Sequence, residues 1–561
     1  MEIGGWMRQI CKLGKKRKKK QQYFGIQHIH QDASFVKRNA GIRRSGGGQT
    51  QLSAAVEGSP CEEQKVGGAD VLKQSQRKGR ALEQRGNAEN DECRMKQNAA
   101  GKSSRQNDAV FGSVRETFGE KIHIIRSRGN RQNDGSREKT EYGGQFHGGL
   151  LSNYRIIGII GVYCSLSNCI IGESFMKAMI HANAILPNEA GDFYVREDTA
   201  ILYDEIIRDI LPMREFKRSM ADEILDAQGN YVSPGFINIH VHGCMGCDTM
   251  DEDGEALPVM RRFQASTGVT AFLPTTMTYD MPRIHRALER VRGEMKRDEG
   301  ARVLGAHMEG PFIHPQYAGA QAAEQIQKAD FDFLRGYEDV ISVITLAPEE
   351  LEEESFLREC RAAGIVLSLG HSAADYETAV KAIREQGISH ITHLFNAQTG
   401  FHHRRPGIVG AAFDTDAVCE LIADNVHSHP AAQRLTWRLK GSKRLVLITD
   451  SLRACGLGDG PSELGGQQVT VKGMLATLAD GTIAGSVATM DRILATFLEN
   501  TGAELPEVIE TVTKTPAGTL GYGELLGEIS VGKAADFAVF NKDICIFKTI
   551  VKGKQIYCRN I

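Results

Sequence analysis

Eight short apolar runs alternate with helix-period segments in the second half of the chain, and this alternation constrains the fold more than any other feature. The runs span residues 236–241, 270–274, 303–308, 341–346, 365–369, 389–394, 419–423 and 445–449. Helical periodicity lies between them, for example in residues 279–297 and 375–386. Strands that alternate with helices at this spacing form a parallel sheet, and eight such units close into a barrel. The sequence therefore predicts an α/β fold built on a TIM-type (β/α)8 barrel.

Strand-like patterns flank the predicted barrel on both sides. One begins at residues 178–186 and extends to Tyr231, before the turn signal at 233–235; the other covers 527–557. We expect the two flanks to pair into one small β-sandwich domain. The predicted domains are an extension at 1–175, the first part of the sandwich at 176–233, the barrel at 234–520 and the second part of the sandwich at 521–561.

The first 175 residues have a different character from the rest. They are rich in Gly, Gln, Asn, Lys, Arg and Ser and lack sustained periodicity, so they cannot bury enough apolar surface to offset their ordering entropy. The basic run at residues 15–20 is compatible with a nucleic-acid arm or a targeting patch. A solvated disordered tail is the simpler alternative, and translated upstream sequence before a start at Met176 or Met179 is the preferred interpretation. We expect no functional role for this extension.

Composition excludes several classes of protein. The formal net charge of -2 gives no general attraction to nucleic acid or to a membrane surface. Residues 1–10 contain no apolar leader, and polar residues interrupt the longest apolar stretch, 156–172, which falls short of the ~20 residues of a spanning helix. The 12 cysteines have no regular spacing, as expected for reduced thiols. These features predict a soluble cytoplasmic protein without a nucleic-acid or membrane partner.

Metal-ligating side chains follow five of the predicted barrel strands. These residues are His240 and His242 after strand one, Glu309 after strand three, His371 after strand five, His393 after strand six and Asp450 after strand eight. The carboxyl ends of barrel strands meet at one rim, and the period of two puts both imidazoles of the H-x-H on one side of the strand. We therefore predict a site for one divalent metal, or for a pair that shares Glu309. Zn, Fe, Mn and Co suit these donors equally.

A metal at this rim predicts hydrolysis. A bound metal can lower the pKa of its water to roughly 7, which supplies a nucleophile for an amide carbonyl. Asp450 is placed to take the water proton and return it to the leaving amine, and a role as metal ligand is compatible with this. We interpret His390 as a structural histidine. Cys244 and Cys247 are interpreted as loop residues, because a zinc knuckle needs a second cysteine pair.

The motifs around these residues resemble those of a known enzyme family. The segment P-G-F-I-N-I-H-V-H-G at 234–243 resembles the opening signature of the amidohydrolase superfamily. The further motifs are H-M-E-G-P-F at 307–312, G-H-S at 370–372, T-H-L-F-N-A at 392–397, H-H-R-R-P-G at 402–407, L-I-T-D at 447–450 and A-G-S at 484–486. Together they closely resemble the N-acetylglucosamine-6-phosphate deacetylases, from residue 176 to the C-terminus.

The resemblance implies hydrolysis of N-acetylglucosamine 6-phosphate to glucosamine 6-phosphate and acetate, in amino-sugar catabolism or cell-wall sugar recycling. It implies Glu309, His371 and His393 as core metal ligands, His240 and His242 as the extra ligands of members with two metals, and Asp450 as the catalytic acid/base. The implied substrate contacts are Ala320, Gln321, Asn396, Ala397, Arg404, His427, Ile483, Ala484 and Gly485. In this family the phosphate-binding arginine, here Arg404, can be donated across a dimer interface, so we expect a homodimer.

Side-chain chemistry supports the phosphate assignment. Arg404 with His402, His403 and His427 would make a cationic end opposite the metal, suited to a phosphate dianion. Departures from the family pattern concern fine substrate preference: Arg405 stands where Glu is usual, Gln398 where Met is usual and Asn425 where Gly is frequent.

Two alternatives remain open at this stage. One is another metal-dependent amidohydrolase that acts on a cyclic amide or a dipeptide, although such enzymes commonly bridge two metals with a modified lysine and Glu309 stands here. The other is a non-catalytic barrel that acts as a scaffold, although such relatives typically lose ligands. The number and identity of the metals, and the preferred sugar epimer, are also left open.

Overall fold

The computed structural model describes residues 175–559. The predicted extension at 1–175, with its basic run, therefore lies outside the described residues apart from Phe175. None of the helices within 175–559 combines the length and the apolar character needed to cross a membrane.

The barrel contains eight parallel strands in chain order. They are β6 (Phe236–Val241), β9 (Val269–Pro274), β11 (Ala306–Glu309), β12 (Ile341–Leu346), β13 (Val366–Leu369), β14 (His390–Ile391), β15 (Val418–Leu421) and β16 (Leu445–Leu447). Strands β11 to β16 form one six-stranded parallel sheet, and β6 pairs with β9, which also pairs with the short β10 (Arg302–Val303). Each strand corresponds to one of the eight predicted apolar runs.

Isolated parallel bridges join these two sheets at both seams. Thr275 pairs with His307 between β9 and β11, and Val241 pairs with Ser451 between β6 and the residues that follow β16. Backbone hydrogen bonds from Thr276 N to the His307 carbonyl and from Asp450 N to the His240 carbonyl, both 2.9 Å, reinforce the seams. The carboxyl ends of all eight strands therefore meet at one rim.

Helices surround the barrel strands. They are α1 (Ala256–Ser266), α2 (Met281–Glu294), α3 (Ser355–Ala362), α4 (Tyr376–Arg384), α5 (Gly407–Asp414), α6 (Pro430–Lys440), α7 (Met490–Thr501), α8 (Leu505–Glu510) and α9 (Lys514–Thr519). The N-terminus of α2 is typical: the Asp280 side chain accepts a hydrogen bond from Arg283 N, and Pro282 occupies the first turn. One continuous apolar cluster fills the space between the helices and the strands.

Two short β insertions lie after barrel strands. β7 (Gly243–Cys244) and β8 (Cys247–Asp248) form a tight hairpin after β6. β17 (Gly460–Leu464), β18 (Gln467–Lys472) and β19 (Leu475–Thr477) form a three-stranded antiparallel sheet after β16. The predicted loop cysteines occupy the first hairpin, where Cys244 is buried and Cys247 is half-buried.

The two flanks of the barrel join in a single small sheet. Its strands are β1 (Lys177–Pro187), β2 (Phe193–Tyr203), β3 (Ile207–Pro212), β4 (Glu223–Asp226), β5 (Tyr231–Pro234), β20 (Phe537–Phe540), β21 (Ile546–Val551) and β22 (Lys554–Cys558). The predicted pairing of the flanks occurs through β5 and β20, which are antiparallel. The predicted sandwich of two sheets is replaced by one branched sheet, because the bulged β1 pairs with β2 on one side and with both β4 and β5 on the other.

The small sheet is anchored on the barrel near the start of its first strand. The Phe236 and Phe540 rings lie 5.9 Å apart, and the Thr549 hydroxyl donates a 2.7 Å hydrogen bond to the carbonyl of Ala265 at the end of α1. The turn at Gly553, between β21 and β22, packs against the backbone of Asp204. A Cβ at Gly553 would lie 1.7 Å from the Asp204 carbonyl oxygen. The turn therefore requires glycine for space as well as for its φ of 68°.

We predict that Gly553→Ala destabilises the chain by about 1–3 kcal/mol more than Gly532→Ala does. Both glycines have positive φ, but a Cβ at Gly532 would meet no atom within 4 Å, so this control isolates the clash from the backbone strain. Urea unfolding of the two variants measures the difference. Equal losses of stability would show that the turn can open without cost.

Candidate metal centre and active site

The Glu309 carboxylate lies at the centre of the rim and is shared by several imidazoles. Its Oε1 atom lies 3.1 Å from Nε2 of His371 and 3.1 Å from Nε2 of His393. The two imidazole Nε2 atoms are themselves only 3.1 Å apart. Glu309, His371 and His393 therefore form one group of three donors around a single point.

A second group of donors adjoins the first and uses the same carboxylate. His242 Nε2 lies 3.2 Å from Glu309 Oε2 and 3.3 Å from Asp450 Oδ1. His240 Nε2 lies 3.3 Å from Glu309 Oε1 and 3.5 Å from Asp450 Oδ1. All six donors predicted from the sequence are brought together, in two groups that meet at Glu309.

Several residues of the site adopt the left-handed backbone region. His371, His393 and Asp450 have φ angles of 50°, 28° and 46°, and Phe395 and Ala397 are also positive. Non-glycine residues rarely adopt this region, and it costs of order 1–3 kcal/mol per residue when the fold enforces it. The chain turns sharply as it leaves each strand, and this conformation directs the side chains towards the rim.

The donor set fits a divalent cation. The Nε2 atom of His240 is buried and has no hydrogen-bond partner within residues 175–559. Two imidazole Nε2 atoms at 3.1 Å with a carboxylate oxygen at the same distance from each are arranged to converge on a cation. The nitrogen and carboxylate chemistry suits a borderline transition metal.

The electrostatics of the cluster call for positive charge in this volume. Burial by itself would lower the pKa of His240, but the Asp450, Glu420 and Glu309 carboxylates raise it well above its usual value. Burial likewise opposes ionisation of Glu309, yet the neighbouring histidines, His240 first, hold its pKa well below the usual range. Protons on the imidazoles or a divalent cation can both supply this charge.

A cavity of about 330 Å³ opens over the centre. The predicted residues on its wall are His242, Glu309, Ala320, Gln321, His371, His393, Asn396, Ala397, His427, Asp450, Ile483 and Gly485. His240 and Ala484 are fully buried behind this wall. Met277, Phe395, Leu464 and Thr482 also line the cavity, although the sequence had not indicated them.

Gln321 holds the central carboxylate. Its side-chain nitrogen donates a hydrogen bond to Glu309 Oε2, and its oxygen accepts one from Thr278 N at 2.7 Å. The amide is therefore engaged on both sides and orients Glu309. This contact differs from the sugar or acetamide contact predicted from the sequence.

Arg404 lies away from this cavity within its own chain. It borders a second cavity of about 500 Å³ together with Tyr317, His402 and Arg405. His402 and Arg405 pair across a tight turn that leaves the Arg404 side chain exposed, where its guanidinium contacts His403 Nε2 at 2.8 Å. Within residues 175–559, Arg404 and His402 therefore border a different cavity from His427, so the predicted grouping of Arg404, His402 and His403 with His427 is not seen there.

His427 is held at the cavity by Asp424. The Asp424 carboxylate accepts a 2.7 Å hydrogen bond from His427 Nδ1, and also accepts from the backbone N–H groups of Val426 and His427. Burial would lower the pKa of His427, but the hydrogen bond to Asp424 and the charges of Asp424 and Asp450 together raise it above its usual value. Because Nδ1 is engaged by Asp424, Nε2 is the ring nitrogen left to meet a ligand in the cavity that His427 lines.

Asn425 fixes the backbone of the same loop. It has a φ of 66°, a left-handed conformation that glycine adopts without strain. Its side-chain oxygen accepts hydrogen bonds from Gln433 at 3.0 Å and from Asn500 at 2.6 Å. The loop is thereby tied to α6 and α7.

Sequence reasoning missed two charged or titratable residues below the centre. Glu420 and His307 are fully buried inside the barrel, on β15 and β11. Glu420 interrupts an otherwise apolar strand, and a charged residue in a buried run was the one signal that could have revealed it. His390, interpreted as structural, is also fully buried and lies 3.3 Å from Glu420.

Comparison with known proteins agrees with this geometry. Residues 231–556, more than half of the chain, match the model of the amidohydrolase family. The chain therefore belongs to the amidohydrolase family.

Among its relatives is the N-acetylglucosamine-6-phosphate deacetylase of Bacillus subtilis, 40% identical over 346 residues that cover 60% of this chain and 87% of the relative. The Bos taurus enzyme of the same name is 36% identical over 357 residues, 61% of this chain and 87% of the relative. A solved structure of this deacetylase from Pasteurella multocida, 30% identical, covers 69% of this chain and 100% of its own with a TM-score of 0.64. The resemblance inferred from the motifs is confirmed.

We predict that Asp424→Asn lowers the pKa of His427. The amide can still accept the backbone hydrogen bonds but removes the charge that raises this pKa, so burial then dominates and the histidine loses its proton at lower pH. NMR titration of histidine-labelled protein, with the His427 signal assigned from His427→Gln, measures the change. An unchanged titration would contradict the role of Asp424.

Proposed function

We propose that the chain hydrolyses N-acetylglucosamine 6-phosphate to glucosamine 6-phosphate and acetate, within amino-sugar catabolism or cell-wall sugar recycling. The observation that carries this proposal is the shared Glu309 carboxylate with four imidazoles and Asp450 at one cavity. The relatives named above bear the name of this reaction. A carboxylate on β11, in place of a modified lysine, favours this reaction over a cyclic-amide or dipeptide hydrolase.

Glu309, His371 and His393 would hold one divalent metal, and His240 and His242 with Asp450 and Glu309 would hold a second. When bound, such a cation supplies Lewis-acid chemistry: it lowers the pKa of a water molecule and polarises an amide carbonyl. Gln321 keeps Glu309 in the orientation that both groups of donors share.

Asp450 is the proposed acid/base. Its Oδ1 atom faces the second group of donors, and its pKa is lowered by His240 and His242 although burial opposes this. The carboxylate is therefore ionised and can accept the proton of the attacking water. It then donates that proton to the amine nitrogen as the C–N bond breaks.

The remaining cavity residues would bind the sugar. His427 would form a hydrogen bond through Nε2 with a sugar oxygen, while Asn396 and Ala397 lie on the wall that follows β14. Ile483, Ala484 and Gly485 would lie against the acetyl group. Thr482, beside them, also lines the cavity.

The phosphate requires a strong cation, and the described residues that line the cavity include no arginine or lysine. We propose a homodimer in which Arg404 of each subunit reaches the partner's cavity, because the exposed Arg404 loop lies outside its own cavity. Guanidinium groups bind phosphate through paired hydrogen bonds. We place the reaction in the cytoplasm, where the free thiols of the seven described cysteines persist.

We predict that purified, metal-loaded protein releases amine from N-acetylglucosamine 6-phosphate, and that Asp450→Asn lowers this turnover about 10²–10⁴-fold while metal remains bound. The amide cannot shuttle the proton, but the imidazoles and Glu309 are unchanged. A fluorescamine assay for the amine and metal analysis of the same samples measure both quantities. Equal turnover of unphosphorylated N-acetylglucosamine would contradict the phosphate assignment, and wild-type rates in Asp450→Asn would contradict the proton transfer.

The dimer arrangement predicts complementation between two inactive variants. Arg404→Ala and Asp450→Asn, unfolded and refolded together or co-expressed in equal amounts, give mixed dimers in which one of two sites has every group intact. Random pairing should restore about a quarter of wild-type activity at subsaturating substrate. Absence of any gain over the separate variants would show that Arg404 acts in its own subunit or not at all. Arg438→Ala removes an exposed arginine on α6 and serves as the control for the loss of a surface arginine in Arg404→Ala.

A further inference from the structure

Glu420 is a buried charge that the proposed hydrolysis does not use. It lies on β15 with no exposed surface, inside the barrel and below the metal centre. Burying an ionised carboxylate costs several kcal/mol unless hydrogen bonds compensate it. An apolar side chain would fill such a strand position at lower cost. The contacts of this carboxylate therefore define its role.

The Glu420 carboxylate is directed at a ligand of the metal centre. Its Oε2 atom accepts a 2.9 Å hydrogen bond from His240 Nδ1 and a 3.2 Å hydrogen bond from the backbone N–H of His393. Its Oε1 atom lies 3.3 Å from His390 Nε2. Both oxygens therefore face imidazoles or backbone N–H groups.

The hydrogen bond to Glu420 fixes the orientation of the His240 ring. Because a carboxylate only accepts, Nδ1 carries the proton, and Nε2 is turned towards Glu309 Oε1 at 3.3 Å and Asp450 Oδ1 at 3.5 Å. This Nε2 atom is buried and finds no hydrogen-bond partner in the part of the chain that the structure describes. The Nε2 lone pair is therefore held in place to coordinate a cation.

The other three imidazoles of the centre have no such partner. His371 Nδ1 donates to the neutral carbonyl of Tyr317 at 2.9 Å. The Nδ1 atoms of His242 and His393 are buried and have no partner among the described residues. Within residues 175–559, His240 alone of the four is paired through Nδ1 with a carboxylate.

A third metal bound by Glu420 itself is disfavoured by His307, which completes the neighbouring donor group of His240, His307 and Glu420. His307 Nδ1 donates to the Ile239 carbonyl at 3.0 Å, and its Nε2 pairs with the Thr345 hydroxyl at 2.7 Å. Both of its nitrogens are occupied, which leaves it no free donor.

We propose that Glu420 is a positioning residue that makes His240 a metal ligand and so determines whether the second group of donors binds an ion. Carboxylates that hold ligating histidines raise their basicity, and their loss typically costs 10–100-fold in metal affinity. The proposal rests on the metal-dependent hydrolysis proposed above, and it adds that Glu420 acts on one of two sites.

The test is metal binding, measured without substrate. Wild type, Glu420→Gln and Glu420→Leu are equilibrated with increasing free Co²⁺, and the ions per chain are counted by mass spectrometry alongside the Co²⁺ absorption spectrum. The glutamine keeps the shape but not the charge, and the leucine packs in a buried strand. We expect wild type to bind two ions, and both variants to retain one and to bind the other about 10–100-fold more weakly.

Two further variants define the reference states. His240→Asn removes the imidazole ligand itself. Its Co²⁺ absorption spectrum therefore shows what a protein with an impaired second group of donors looks like. Glu294→Gln makes the same change at another buried carboxylate, which lies on α2 and pairs with Arg261 of α1 at 2.9 Å. This control variant should bind two ions, as wild type does. Thermal unfolding confirms that all variants are folded.

Wild-type metal affinity in both Glu420 variants would overturn the proposal, as would an equal loss of both ions or a wild type that binds one ion at saturation. Failure of metal-loaded wild type to deacetylate the sugar phosphate would instead contradict the proposed function and leave the metal count unaffected.

Discussion

The Glu309 carboxylate is the point on which the arrangement of the site depends. It is almost fully buried, and its two oxygens lie within 3.3 Å of Nε2 atoms from four histidines on three other strands. An ionised carboxylate in the interior is tolerated only when charge or hydrogen bonds compensate it. The imidazoles and the amide of Gln321 provide hydrogen bonds, and a bound cation would add positive charge, so closure of the barrel brings the compensating groups together.

The site is also the part of the barrel with the most strained backbone. Three donors, His371, His393 and Asp450, have positive φ, and seam hydrogen bonds such as Asp450 N to the His240 carbonyl hold the chain in place. The surrounding sheet therefore carries the cost of conformations that isolated segments would avoid. A donor set that is fixed before a cation arrives loses little entropy on binding it, which favours tight coordination.

The barrel and the positions of the metal-binding side chains could be predicted from the sequence. Period-two and helical patterns indicate which residues are buried, and the ends of the strands indicate which residues lie at the rim. The six donors follow from where His240, Glu309 or Asp450 stand relative to apolar runs. Contacts made by side-chain rotation could not be predicted: Gln321 holds Glu309, and Glu420 faces His240 across the barrel. The single branched sheet depends on bulges in β1, and such local irregularities leave little trace in an alternating pattern.

The branched sheet has a consequence for biosynthesis. Strand β5 finds its partner β20 only after about 300 further residues have been translated, because the whole barrel lies between them. During that interval the first half of the sheet presents an unpaired edge, which is a template for association with other chains. On a ribosome that adds about 5–20 residues per second, this exposure lasts on the order of a minute or less. Nascent chains of this protein therefore have their period of greatest aggregation risk in the interval before β20 is made and can pair with β5.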